Sequence, residues 1–180
     1  MLFPKALLFA AAVTAWTIPE DIGDGIYTVS TNDQGETVHN FVANLTAVPD
    51  AGPKSAKFRR QGLSGANNIQ CFYDNLNHAD TDAVNVNIDN QCGSGGVLQG
   101  DGSENGRDFY AVQNDVVSYV CNLSGNKNNC YASERQAADR LITADCGWYA
   151  SGEDNAPDRS IVYGYQPRDS DFCGRGINGK

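Results

Sequence analysis

All six cysteines of the chain, Cys71, Cys92, Cys121, Cys130, Cys146 and Cys173, lie in its last two thirds. An even set of this size is a disulfide framework in an exported protein and a metal or thiol site in a cytosolic one, so the compartment decides what the chain can fold into. No Cys-x-x-Cys spacing occurs, which leaves zinc held by thiolates without its usual signature. Six cysteines allow 15 pairings, and their order alone selects none.

The N-terminus settles the compartment as an expectation. Met1 to Lys5 carries one positive charge, Ala6 to Val13 is wholly apolar, and Val13 and Ala15 place small residues before a cut after Ala15. Residues 1–15 therefore read as a secretory signal peptide. The apolar run is far shorter than the roughly 20 residues that span a bilayer, and no later segment is long and apolar enough. A soluble, extracellular, oxidised protein is expected.

A second processing signal lies at Arg59-Arg60, the end of a locally basic stretch that follows the small and polar residues 49–56. Exposed segments of this kind are where proteolysis concentrates. The pair predicts a prosegment, 16–60, and a disulfide-rich mature domain, 61–180, that holds every cysteine. Read blandly, the two arginines are a solvated charge pair. Within the prosegment, residues 25–30 and 37–42 are short β-prone runs on either side of Asn32-Asp33-Gln34-Gly35, which predicts a hairpin. Such a hairpin either covers a sheet edge until it is removed or, without cleavage, forms two strands of the fold.

In the cysteine-bearing region the clearest helix begins at Ser133, where Ser133 and Gln136 fit a capping box. Ala137, Ala138, Leu141 and Ile142 form its apolar face, Arg135 and Asp139 lie on the other, and Cys146-Gly147 ends it. A second helix is predicted over about 80–91, with Asp80 and Asp82 at its N-terminus and Val84, Ile88 and Cys92 recurring every four residues. The alternation of Val84, Val86 and Ile88 with Asn85, Asn87 and Asp89 is the competing strand pattern. Strands are predicted at 68–73, 109–112, 116–121 and 160–165, and a flexible glycine-rich loop over 93–107. The fold class is α+β: a small antiparallel sheet with two helices packed on one face, an α/β sandwich stapled by disulfides.

From Ser118 onward the order of elements and cysteines is informative. Ser118-Tyr-Val-Cys-Asn122, Asn128-Asn-Cys130, a helix carrying Ala137 and Leu141, Cys146-Gly147, Ser160-Ile-Val-Tyr-Gly-Tyr165 and a final Cys173 resemble the C-terminal half of the smut-virus killer toxin family and its fungal killer-toxin-like relatives. The resemblance covers about a third of the chain. It implies a secreted, disulfide-rich α/β sandwich of fungal type, acting as a toxin or virulence effector on a host or competitor protein or cell-surface component. It carries over no channel-blocking residue. The family's toxin uses cationic side chains to interfere with calcium channels, whereas residues 61–180 hold 8 Lys and Arg against 16 Asp and Glu. The whole chain has a formal net charge of -9, which opposes nucleic acids and anionic lipid surfaces. A monomer with neither a nucleic-acid partner nor a cofactor is expected.

Catalytic candidates are few. His78 is the single histidine beyond Arg60, and paired with an acid such as Glu134 it would suit a small nuclease-like hydrolase. A surface or cap histidine is the plainer reading, and Glu134 is explained by its place in the first turn of a helix. No nucleophile elbow, zinc-protease helix or phosphate loop is present. Asp74, Asp80, Asp82 and Asp89 crowd one stretch with Asn75 and Asn77, an oxygen-rich set for calcium, without the glycine and closing glutamate of an EF-hand. Two N-glycosylation sequons occur, at Asn44 in the prosegment and at Asn122 beside Cys121, the latter expected in a surface turn that carries glycan in the mature protein or is left as an unoccupied turn sequence. Of the aromatics, Tyr110, Tyr119, Tyr163 and Tyr165 are expected mostly in the core, and Trp148 and Tyr149 offer a carbohydrate or protein contact surface.

Overall fold

The chain is seen in a computed structural model that describes residues 15–47, 68–100, 106–156 and 158–174. The expected signal segment, apart from Ala15, and the pair Arg59-Arg60 lie outside the described residues. In chain order the elements are β1 (Gly25–Thr31), β2 (Thr37–Ala43), β3 (Asn68–Asn75), α1 (His78–Cys92), β4 (Gly96–Leu98), β5 (Asp108–Gln113) and β6 (Val116–Asn122). They continue with β7 (Asn128–Cys130), α2 (Ala132–Cys146), β8 (Ala150–Ala156) and β9 (Ile161–Pro167). Seven strands form one antiparallel sheet in the order β2-β1-β5-β6-β9-β8-β3, and β4 pairs with β7. With two helices, this is the α+β architecture that the sequence predicts.

The sheet is covered on both sides, which is why β6 and most of β9 are buried at every residue. One face carries Ile26, Ala111, Val120, Ile161, Tyr163 and Tyr165 against Val84 and Ile88 of α1 and Ala138 and Ile142 of α2. The other carries Tyr27, Val29, Tyr110, Val112, Val117, Tyr119 and Val162, with Trp16, Ile18 and Phe172 as the cover. Period-two alternation sorts each strand's residues between the two cores.

In α1 the helical reading holds. Val84 and Ile88 are buried and Val86 is exposed, as a four-residue repeat requires and a strand would not allow. The helix starts at His78, earlier than the acidic residues suggest, because the Asn77 side chain accepts from the Asp80 N–H at 3.1 Å. In α2 the capping box does not form. The helix begins at Ala132, Tyr131 stands at the cap without a side-chain bond, and Gln136 donates to Asp89 on α1 instead. Arg135, expected on the exposed face, is buried in an ion pair with the same Asp89. The expected loop 93–107 contains β4, whose Leu98 is fully buried.

Cys71 is bonded to Cys146, Cys92 to Cys130 and Cys121 to Cys173. Within the stretch read from sequence as a prosegment, residues 25–31 and 37–43 are strands of the same sheet. The hairpin β1–β2 forms, and β1 lies between β2 and β5. Trp16 exchanges backbone hydrogen bonds with Phe172, and its indole N–H donates to buried Asp108.

Candidate functional site

The disulfide Cys71–Cys146 brings together two short segments that each carry exposed aromatic residues. Cys71 is followed by Phe72 and Tyr73 at the end of β3, and Cys146 by Gly147, Trp148 and Tyr149 before β8. The pairing Asn75 to Ala150 closes the same corner, and the Leu76 N–H donates to the Tyr149 carbonyl at 2.9 Å. Tyr73 and Tyr149 both have left-handed backbones, φ 66° and 54°, and Gly147 turns at φ 112°. Such conformations cost about 1–3 kcal/mol for a bulky residue and persist only where the surroundings impose them. Here the surroundings are a disulfide, a strand pairing and a hydrogen bond. The outcome is a pair of large side chains left in solvent, Tyr73 at 67% exposure and Trp148 at 64%.

His78, the first residue of α1, stacks on the Tyr149 ring with centroids 3.8 Å apart and planes 14° from parallel. The Tyr149 hydroxyl donates to the Asp82 carboxylate, 3.2 Å from either oxygen, and Trp148 lies 6.2 Å away at a tilt. Burial and the adjacent Asp82 push the Tyr149 hydroxyl above its ordinary value, so it stays a proton donor. Asp74 is fixed by Ser151, whose hydroxyl donates to it at 2.8 Å and accepts from its N–H. The corner thus joins the His78–Tyr149 stack, with Trp148 beside it, to a strand end that exposes Tyr73, and it carries two carboxylates, Asp74 and Asp82. It can offer apolar and stacking contact with acceptors beside it.

The catalytic pair suggested by the sequence is not brought together. One face of His78 lies against Tyr149. Glu134 does not join it: that carboxylate takes Arg159 and the Tyr163 hydroxyl at 2.9 Å. The four crowded aspartates also separate. Asp74 goes to Ser151, Asp80 to Gln113 and Asn114, Asp82 to Tyr149, and Asp89 to Arg135 and Gln136. Among the described residues no three acidic, histidine or cysteine side chains gather as a metal site would require.

Tyr110, Tyr119, Tyr163 and Tyr165 lie in the two cores, as expected. The sequons differ: Asn44 is exposed, whereas Asn122, expected in a surface turn, is the last residue of β6 and is fully buried, its side chain bonded to Gln99 and Asn126. Sequence reasoning missed Tyr73 and Ser151 at the corner. The available signal was aromatic residues next to both Cys71 and Cys146, which has meaning only once those two cysteines are paired. Comparisons with protein-family models, curated proteins and solved structures returned no match.

Proposed function

We propose that the chain is a secreted effector or killer-toxin-like protein that acts without catalysis, by binding a host or competitor cell-surface component through the aromatic corner. The observation that carries this reading is the exposure of Tyr73 and Trp148 on backbone held by Cys71–Cys146. Rigid, exposed aromatic side chains are the usual anchors of binding surfaces, because they bring large contact area at little cost in ordering. Three disulfides suit an oxidising compartment, and among the described residues no helix is long and apolar enough to cross a membrane.

The test uses the labelled full chain on intact fungal and plant cells. The double variant Tyr73→Ala, Trp148→Ala should lower binding about thirtyfold, the effect of losing roughly 2 kcal/mol at a contact hot spot, while its thermal midpoint stays unchanged. Undiminished binding by the folded double variant refutes the corner. His78→Ala serves as the control: if it abolishes a hydrolytic activity of the wild-type protein, the hydrolase reading replaces this one.

A further inference from the structure

The two sequons have identical chemistry and opposite surroundings. At Asn122 the side-chain nitrogen donates to the Gln99 carbonyl at 2.9 Å and the Asn126 carbonyl at 2.6 Å, while the oxygen accepts from the Ser124 N–H and hydroxyl. Both amide hydrogens are used and the residue has no exposed surface. Replacing one of those hydrogens by a sugar breaks a bond and inserts a large polar group into packed protein, which the fold does not accommodate. At Asn44 the neighbours are tied down and the acceptor is left out. Leu45 packs against the helix-side core, and the Thr46 backbone is held at both polar groups by Asn87 of α1, at 2.8 and 3.3 Å. Asn44 itself stands exposed, one residue beyond β2.

Among the described residues, that strand has β1 as its only neighbour in the sheet. Beside the sequon it exposes Phe41 at 56% and Val42 at 46%. Phe41 is held across Gly25, edge-on to Tyr27 at 5.5 Å, so its outward surface is presented at a fixed position. Open edges with exposed apolar side chains are templates for self-pairing, and proteins normally blunt them. We propose that the chain carries a single N-linked glycan, on Asn44, and that this glycan screens the β2 edge against pairing with a second copy. The inference rests on the secretion assumed in the proposed function.

The experiment secretes the full chain from a eukaryotic host and measures intact mass before and after enzymatic removal of N-glycans. One glycan is expected; it should disappear in both Asn44→Gln and Thr46→Val and remain in Ser124→Ala, which cancels the second sequon while keeping Asn122. A glycan retained in Asn44→Gln, or a secreted wild-type protein with none, overturns the assignment. Failure of the chain to be secreted overturns the export reading, and this inference with it, and is distinguishable from secretion without glycan. Sedimentation velocity then tests the screen. Deglycosylation should lower the concentration at which the chain self-associates about tenfold or more, and Val42→Lys should restore the monomer. A deglycosylated chain as monomeric as the glycosylated one overturns the screening role.

Discussion

The polar helix α1 and the apolar strand β1 illustrate two ways in which this sheet is held together. Helix α1 buries Asp80, Thr81, Asn85 and Asn87 beside only Ala83, Val84, Ile88 and Cys92, so its apolar contact is thin for an element of 15 residues. It is stapled at its end by Cys92–Cys130, and α2 is stapled to β3 by Cys71–Cys146. Strand β1, in contrast, contributes Ile26, Tyr27 and Val29 to the two cores and has a strand on each side. It contains no cysteine and is joined to none. Among the described residues one bridge ties α2 to the sheet edge β3 and another ties the end of α1 to β7 of the small sheet, whereas β1 is held by apolar side chains and a full backbone ladder. The Cys121–Cys173 bridge links the two regimes, because it positions Phe172 under Tyr110 and Tyr119, where Trp16 pairs with it.

The sharpest way to break this contrast is to remove the packing. Trp16→Ala deletes a buried indole and the N–H that it gives to Asp108, a carboxyl that burial pushes up and that Arg107, Trp16 and Asn122 hold down. A loss of about 3–5 kcal/mol is expected in urea unfolding with the disulfides intact. A chain cut at Arg59-Arg60 should accordingly stay together as two non-covalent pieces on gel filtration and come apart in Trp16→Ala. A loss under about 1 kcal/mol, or release of the N-terminal piece from the wild-type protein, contradicts the packing account. The next effect is covalent. Replacing Cys71 and Cys146 together by serine opens the widest of the three bridges, 75 residues apart, and should cost about 2–4 kcal/mol. It should also weaken cell binding more than loss of Cys92–Cys130 does, since only the former anchors Tyr73 and Trp148. Equal losses of binding would detach the aromatic corner from its staple.

Much of this arrangement was legible from residues alone, and the exceptions share a cause. The four strands read beyond Arg60, the hairpin and both helices follow hydrophobic period and flanking turn residues. Strand β8 was missed because Ala-Ser-Gly-Glu-Asp-Asn-Ala has no apolar alternation, yet its first six residues are buried between β3 and β9. Ladder partners on both sides override the strand propensity that such residues lack. The short β4 and β7 pair beside the Cys92–Cys130 bridge, a contact between distant segments that no local pattern announces. Ser133 was read as a cap because the local motif fits, but the helix gains a residue before it and Gln136 finds Asp89, a partner 47 positions away. At the corner His78, Trp148 and Tyr149 stood out in the sequence, whereas their assembly with Tyr73 depends on a pairing that order alone leaves open.

Strand β8 also supplies the gentlest test of the comparison, since it places a carboxyl where a packed strand would have an apolar side chain. Glu153 is 2% exposed. It faces Gly164 across the ladder, and a Cβ there would overlap the Tyr119 ring, so the glycine lets Tyr119 lie across β9 and donate to Glu153 at 3.1 Å. The other carboxylate oxygen takes no hydrogen bond. Burial outweighs the tyrosine's help and pushes this carboxyl from an ordinary value near 4.5 up to about 7. The folded chain therefore keeps a proton that the unfolded chain releases between those values, and folding is favoured on the acid side. Stability from this group is fully present below about pH 4.5 and declines as pH rises through 7, by up to about 3 kcal/mol. Glu153→Gln should flatten that decline, matching the wild-type protein near pH 5 and exceeding it at pH 8 in paired urea titrations. Parallel pH profiles for the two proteins would mean that Glu153 is ionised in the fold at little cost, and that the stapled half of the sheet tolerates buried charge as readily as the packed half tolerates its aromatic residues.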